Sequence, residues 1–438
     1  MNKGIEGFSK LTKAQKIEWI TRAHFKNPED AKNLLLNYWN NDSDLQKKHD
    51  EFIENSLTNF YMPLGVAPNF LINGKPYTIP MVIEESSVVA AASNAAKFWL
   101  NRGGFKAEVL DTLKVGQVHF LFNGDPKIIH SFFKKNKPQL LEVTEEFSKN
   151  MVRRGGGIQN IKLIDKSHLI PNYFQLHVEF KTADAMGANF INSCLESIAS
   201  KFKELAQNDS KYLKGEGVEV VMSILSNYAP KCLVRASVKC PVSDFIPENG
   251  WTGNDFAKKI IQAVEIAKKE SYRAVTHNKG VMNGVDAVVL ATGNDFRAIE
   301  AGVHSYASKS GQYTSLSNAF VKNDIFHMEL VIPLALGTIG GLTRLHPMVK
   351  WSLELLGNPD AKTLMKIIAV TGLAQNFAAL RSLVTSGIQK GHMKMHLLNI
   401  LNQMGASEDH KKAAIIYFKK HIVSVKAVGE FLKKYSLK

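Results

Sequence analysis

A chain of 438 residues with 45% hydrophobic and 22% charged residues is long enough for two or three domains and a large core, which excludes the disordered and fibrous classes. Its three cysteines, Cys194, Cys232 and Cys240, lack CxxC spacing; this argues against a disulfide framework or structural zinc and for a reducing compartment. The net charge of +15 suits phosphorylated small molecules, anionic membranes or nucleic acid, yet no zinc finger, RNP-type aromatic motif or long basic arm accompanies it, so charge alone speaks for nucleic acid.

The N-terminal MNKGIEGFSKLTKAQK has no apolar signal-peptide core, and no stretch approaches roughly 18 uninterrupted apolar residues. A cytoplasmic protein without membrane contact is expected. Residues 10–50 read as helices. Over 53–74, the turn residues Pro63, Gly65, Pro68 and Asn73-Gly74 punctuate short apolar pieces into turns. Residues 76–83 alternate as a strand that ends at Glu84-Glu85-Ser86-Ser87, and 88–100, VVAAASNAAKFWL, read as an alanine-rich helix. From about Thr112 the pattern changes. Residues 116–122 alternate like a strand, and 127–151 read as a helix interrupted by Pro138. Residues 158–164 and 173–180 are strands, the latter with Leu176, Val178 and Phe180 on one face. An amphipathic helix at 188–205 and a strand at 218–225 complete the order β-α-β-β-α-β, a ferredoxin-like domain inserted between two parts of a larger one. No GxGxxG follows a strand, so a Rossmann domain is unsupported.

The longest chemically suggestive stretch is 276–302, THNKGVMNGVDAVVLATGNDFRAIEAG. Gly280 and Gly284 bracket a polar cluster of His277, Asn278, Lys279 and Asn283, where glycine lets backbone approach a ligand and Lys and Asn supply charge and amide donors. The apolar run 285–291, broken only by Asp286, fits equally a buried helix with polar ends. Glu84-Glu85 has two readings as well: acids that favour the helix macrodipole, or a carboxyl aimed into a cleft with its pKa raised by burial. Asp184, at the start of the 188–205 helix, reads on physical grounds as its N-cap, beside a helix N-terminus able to take an anion. A strand at 327–333 precedes the glycine-bearing turn Leu334-Ala-Leu-Gly-Thr-Ile-Gly-Gly341, and 361–386 are apolar helices. His392 and His396 are spaced like zinc ligands on a helix, but no HExxH glutamate accompanies them, so no metal site is expected. Ten lysines from Lys390 onward, against Glu408, Asp409 and Glu430, mark a small basic helical segment.

The motifs Glu84-Glu85-Ser86-Ser87 with its alanine-rich helix, Asp184-Ala-Met-Gly-Ala-Asn189, Thr276-His-Asn-Lys-Gly280, Thr292-Gly-Asn-Asp295 and Gly391-His-Met393 occur in an order that resembles the soluble, bacterial-type (class II) hydroxymethylglutaryl-CoA reductases, over about residues 53–396. The resemblance implies reduction of 3-hydroxy-3-methylglutaryl-CoA to mevalonate and CoA with two NAD(P)H. It implies Glu85 as proton donor, Lys279 as oxyanion holder, Asp295 as their orienting carboxylate and His392 as acid for the departing CoA thiolate. Ser87, Asn227, Arg273 and Asn283 take substrate-binding positions. Asp184, Met186, Gly187, Asn189, Gly340 and Gly341 take cofactor-binding ones. Ser86 departs from the family's proline, and Phe190 stands where a smaller or polar residue is common. The domains expected are 1–111 with 223–385 for substrate and CoA, 112–222 for the dinucleotide, and 386–438 as a mobile C-terminal helical unit. The fold class is therefore α+β: a large mixed domain around a buried helix, the inserted ferredoxin-like domain and the helical C-terminal one. The family also implies active sites at the interface of a homodimer, or of a higher assembly of dimers. The neighbourhood Ser148–Gly155, with Lys149, Arg153 and Arg154 and no acid, favours NADPH over NADH. The contrasting reading is a catalytically silent CoA- or nucleotide-binding regulatory protein of the same fold.

Overall fold

Asn73-Gly74 turns the chain through two positive-φ residues (51° and 84°), the geometry that a two-residue hairpin requires. It joins strand β1 (Leu64–Ile72) to β2 (Lys75–Val82). The stretch 53–74 is therefore not all turns. Pro68 is accommodated because the register of β1 shifts between Ala67 and Phe70, so the missing N–H falls at an irregularity. Ahead of the hairpin lie α1 (Lys13–His24), α2 (Pro28–Asn37) and α3 (Ser43–Asp50), as the sequence implied. The structure is a computed structural model and describes residues 4–209, 211–247, 250–385, 387, 397–418 and 421–435.

After α4 (Val88–Leu100) and β3 (Lys106–Val109) the chain builds a four-stranded antiparallel sheet from β4 (Lys114–Phe122), β5 (Gly157–Asp165), β6 (Tyr173–Lys181) and β7 (Val218–Ser226), in the order β5-β6-β4-β7. Helices α5 (Pro126–Glu142), α6 (Glu145–Arg153) and α7 (Ala188–Asn208) complete it. Leu176, Val178 and Phe180 are fully buried with Val118, Phe120, Phe132 and Phe202 in one core, while His119, Tyr173, Gln117 and His177 pair on the other face. Period-two alternation thus had its expected consequence. Pro138 does not end α5. The helix runs on to Glu142 because Phe132, Phe133 and Leu140 on either side are buried, and their burial offsets the cost of an interior proline, about 3 kcal/mol. Phe190 packs edge-on against Phe180, ring centroids 6.0 Å apart, which accounts for its size at the start of α7.

The remaining chain returns to a second antiparallel sheet, β3-β8-β10-β9, made with β8 (Leu233–Pro241), β9 (Ser317–Lys322) and β10 (Ile325–Pro333). Packed with it are α8 (Gly253–Lys269), α9 (Ser271–Ala291), α10 (Phe296–Ala307), α11 (Leu342–Leu345), α12 (Pro347–Leu355) and α13 (Ala361–Val384). Helix α13 is long and apolar enough to cross a membrane by length and composition, but it lies buried among α4, α8, α9 and the sheet. From Leu364 to Leu380 most of its apolar residues are buried against these partners, as a central core helix requires. Helices Glu408–Tyr417 and Val425–Tyr435 share a separate small core around Leu401, Phe418 and Val428.

Candidate active site

Helix α9 carries the polar cluster of the 276–302 stretch, and its faces divide that cluster. His277 and Asn278 point inward. Asn278 donates to Thr314 O at 2.9 Å and accepts from Leu316 N–H at 3.0 Å, and His277 Nε2 meets Ser317 Oγ at 2.7 Å. Burial, with Arg273 nearby, pulls the imidazole down to about 3, so it is neutral and structural. Lys279 faces outward, where its Nζ lies 2.8 Å from Glu85 Oε2 although the two are 194 residues apart in sequence. Glu85 stands on the short link between β2 and α4, whose N-cap is Ser87. Its carboxylate is about one third exposed, held by an opposite charge rather than enclosed in an apolar cleft. Ser87 Oγ lies 3.5 Å from Glu85 Oε1, and Asn283 follows Lys279 one turn later on the same helix face. Arg273, half-buried in the first turn of α9, has its pKa lowered by burial.

Gly284 serves packing and not a ligand: a Cβ there would lie 2.5 Å from Thr371 O of α13. The helix passes through it unbroken to Ala291. Lys279 and Ala291 are therefore separated by roughly 18 Å of helix at ~1.5 Å per residue, and Asp295 lies beyond. Asp295 caps α10, accepting from Arg297 and Ala298 N–H, and is ion-paired to Arg297 at 3.0 Å. That pairing lowers its pKa. Within one chain Asp295 and Lys279 are not brought together.

The Asp184–Gly187 loop also differs from its expected form. Asp184 is not the N-cap of α7; Gly187 is, at φ +90° and with a virtual Cβ only 2.4 Å from Thr182 Cγ2, so only glycine fits. Asp184 Oδ1 instead accepts from Ala361 N–H at 2.9 Å, at the start of α13. Its carbonyl takes Thr338 N–H at 2.8 Å, and Ala185 bridges Ile339, so the loop abuts the turn 334–341. In that turn Gly340 and Gly341 adopt φ of +88° and +57° with open space above them. Asn189 is exposed in the first turn of α7, which carries no acid. Met186 and Asn227 line one small cavity of about 20 Å³ between β7 and α10. These glycines and the acid-free helix N-terminus form a cradle suited to an anion. His392 and His396 lie outside the described residues. Sequence reasoning missed Lys114 and Asn294, which hold this loop and turn from beneath; a lysine heading a strand and an asparagine in a turn carry no spacing signal.

A mixed α+β fold with no Rossmann sheet among the described residues, setting the ammonium of Lys279 on α9 against the carboxyl of Glu85 on the β2–α4 link, defines an enzyme able to polarise and protonate a carbonyl oxygen. The comparisons sharpen this class. The family model for hydroxymethylglutaryl-coenzyme A reductase matches residues 13–397. The 3-hydroxy-3-methylglutaryl-coenzyme A reductase of Archaeoglobus fulgidus is 36% identical over 409 residues, covering 93% of this chain and 89% of that protein. A probable reductase of Borreliella burgdorferi is 36% identical over 362 residues, 81% of this chain and 79% of that one. Among solved structures, a reductase from Streptococcus pneumoniae superposes with TM-score 0.72 at 35% identity over 98% of this chain and 99% of that one. The class II enzyme of the same organism bound to NADPH in open conformations superposes with TM-score 0.71 at 36% identity, over 87% and 99%. The chain belongs to the hydroxymethylglutaryl-CoA reductase family.

Proposed function

We propose that Lys279 and Glu85 form the reducing centre at which this chain converts 3-hydroxy-3-methylglutaryl-CoA to mevalonate and CoA. The observation that carries the reading is the 2.8 Å contact between Lys279 Nζ and Glu85 Oε2, which also favours turnover over a silent binding protein. Bound NAD(P)H supplies hydride, two equivalents per thioester reduced to an alcohol. The Lys279 ammonium holds the substrate oxygen as negative charge develops on it, and Glu85 delivers the proton that oxygen needs. His392 would protonate the CoA sulfur, and Ser87, Asn227, Arg273 and Asn283 would orient the acyl group. The dinucleotide would lie along the Asp184–Asn189 loop and the Gly340-Gly341 turn. Lys149, Arg153 and Arg154, in a stretch 148–155 that contains no acid, favour NADPH.

Residues 1–111 and 223–385 are read as the substrate unit, 112–222 as the dinucleotide unit and 386–438 as a mobile C-terminal helical unit. Asp295, remote from Lys279 along α9, is read as completing the site of a second copy in a dimer. The exposed Tyr272 and Val275, 88% and 54% exposed at the start of α9, support such a contact. Three buried free cysteines suit a cytoplasmic setting.

The test is NADPH absorbance decay on adding hydroxymethylglutaryl-CoA. Two NADPH are expected to disappear per mevalonate formed, with kcat/KM higher for NADPH than for NADH. Lys279→Ala and Glu85→Gln are each expected to lower kcat roughly 100-fold or more. A stoichiometry of one, or near-normal kcat in both variants, would defeat the assignment.

A further inference from the structure

Lys114, the first residue of β4, is 6% exposed, and the acceptors around its ammonium are all uncharged. Nζ lies 2.6 Å from Thr182 Oγ1, 2.8 Å from Ala185 O and 2.8 Å from Met186 O, with Leu336 O at 3.4 Å. An ammonium has three N–H donors and no acceptor, so the three short contacts use all of them. Two of these acceptors are carbonyls of the loop that leads into α7. The fourth, longer contact belongs to the turn that ends in Gly340-Gly341.

Loop and turn are joined around this point. A Cβ on Gly337 would lie 2.3 Å from Met186 N, and Gly337 N–H donates to Asn294 Oδ1 at 2.9 Å, next to Asp295 in sequence. The first α-helical bond of α7 is Ile191 N–H to Gly187 O at 2.9 Å, so the amides before Ile191 have no intrahelical acceptor. Burying an ammonium without a carboxylate is unfavourable, and burial pulls its pKa down to about 8.

We propose that Lys114 is a positioning residue for the dinucleotide: by holding the Ala185 and Met186 carbonyls inward and tying their loop to the 334–341 turn, it leaves the free amides at the start of α7 directed at the cofactor's phosphates. The inference rests on reading the Asp184–Asn189 loop as the dinucleotide site. A neutral amine keeps two N–H groups and turns a lone pair toward the third oxygen. Deprotonation therefore releases one contact and loosens the loop.

The titratable groups on the elements packed around Lys114 are few. Cys232, raised by burial to about 11, stays a neutral thiol below that pH. Asp184 lies in the loop itself, Glu179 on β6 is paired to Lys231, and Asp111 precedes β4. The 334–341 turn and the α10 residues Ala298, Ile299 and Gly302, which share the adjoining cavity, carry none. The pH response is thus assigned to Lys114.

The experiment measures NADPH dissociation constants by nicotinamide fluorescence from pH 6.5 to 9.5 for the wild type, Lys114→Met and Gly187→Ala. Circular dichroism confirms folding of each. Wild-type affinity is expected to fall as pH rises through about 8. Lys114→Met should bind roughly ten-fold more weakly at pH 7 and lose that slope, with KM for hydroxymethylglutaryl-CoA within about two-fold of wild type. Should Lys114→Met not fold, Lys114→Gln, whose amide keeps two donors, is expected to weaken binding less and to lose the slope equally. Unchanged affinity in a folded Lys114 variant, or a slope that persists in it, overturns the proposal alone. Unchanged affinity in Gly187→Ala overturns the reading of the loop and the proposal with it.

Discussion

Asp286 and Glu300 show how one pair of side chains ties stability to pH. They meet where α9 packs on α10, and burial first, then the hydrogen bond and charge of Glu300, raise the Asp286 carboxyl to about 8. Its Oδ1 is buried without a partner. The folded state therefore keeps a proton that the unfolded chain releases near 3.8, and stability falls as pH rises between those two values. Asp286→Asn mimics the protonated form and removes this dependence. Thermal unfolding should show Asp286→Asn more stable than wild type by ~1 kcal/mol or more at pH 8, with the advantage shrinking toward pH 5. A constant or reversed difference would mean that Asp286 is already ionised in the fold. His277 acts in the opposite direction. Its folded pKa of about 3 lies below the ordinary 6.5, so its contribution is lost as pH falls below about 6.5.

Helices α9 and α13 form the central contact of the larger core, and glycines on both sides allow it. Besides Gly284 against Thr371, a Cβ on Gly372 would sit 2.8 Å from Val285 Cγ2. Alanine is the better helix former by about 1 kcal/mol, so by propensity alone Gly284→Ala would stabilise the protein. The clash with a backbone carbonyl cannot be relieved by a rotamer change, and overpacking of this kind costs roughly 1–3 kcal/mol. Urea unfolding is expected to show Gly284→Ala net destabilised; a gain in midpoint would mean that the two helices separate more easily than their packing suggests. Because Lys279 lies five residues before Gly284 on α9, the same variant should also lower kcat.

Across the whole molecule, the straight course of α9 has the largest consequence. It sets Lys279 beside Glu85 and carries Asp295 away from both, leaving Asp295 to cap α10 and pair with Arg297. If Asp295 serves the neighbouring copy's site, Lys279→Ala and Asp295→Ala chains, each inactive alone, should complement when refolded together. Random pairing makes about half the dimers mixed, each with one intact site of two, so roughly a quarter of wild-type activity is expected. Mixed dimers, verified by differential tags, that recover nothing would place Asp295 and Lys279 in one site by a rearrangement of the chain.

Most elements were legible in the sequence because their patterns are local. Period-two alternation marked β6, an apolar run marked the end of α9, and the motifs offered Glu85, Lys279 and Asp295 as candidates. Strand β1 was hidden, since Pro68 and Asn73-Gly74 look like turn residues until a partner strand shows that one sits at an irregularity and the other makes a hairpin. Pro138 was read as an interruption of the helix, but the burial of its neighbours outweighs the cost of the proline. Only the tertiary structure decided that Glu85 meets Lys279 across 194 residues, that Asp184 binds the start of α13 rather than capping α7, and that Lys114 lies beneath the loop. Each of these is a contact between segments remote in sequence, set by the packing of the whole core, which no local pattern of residue types encodes.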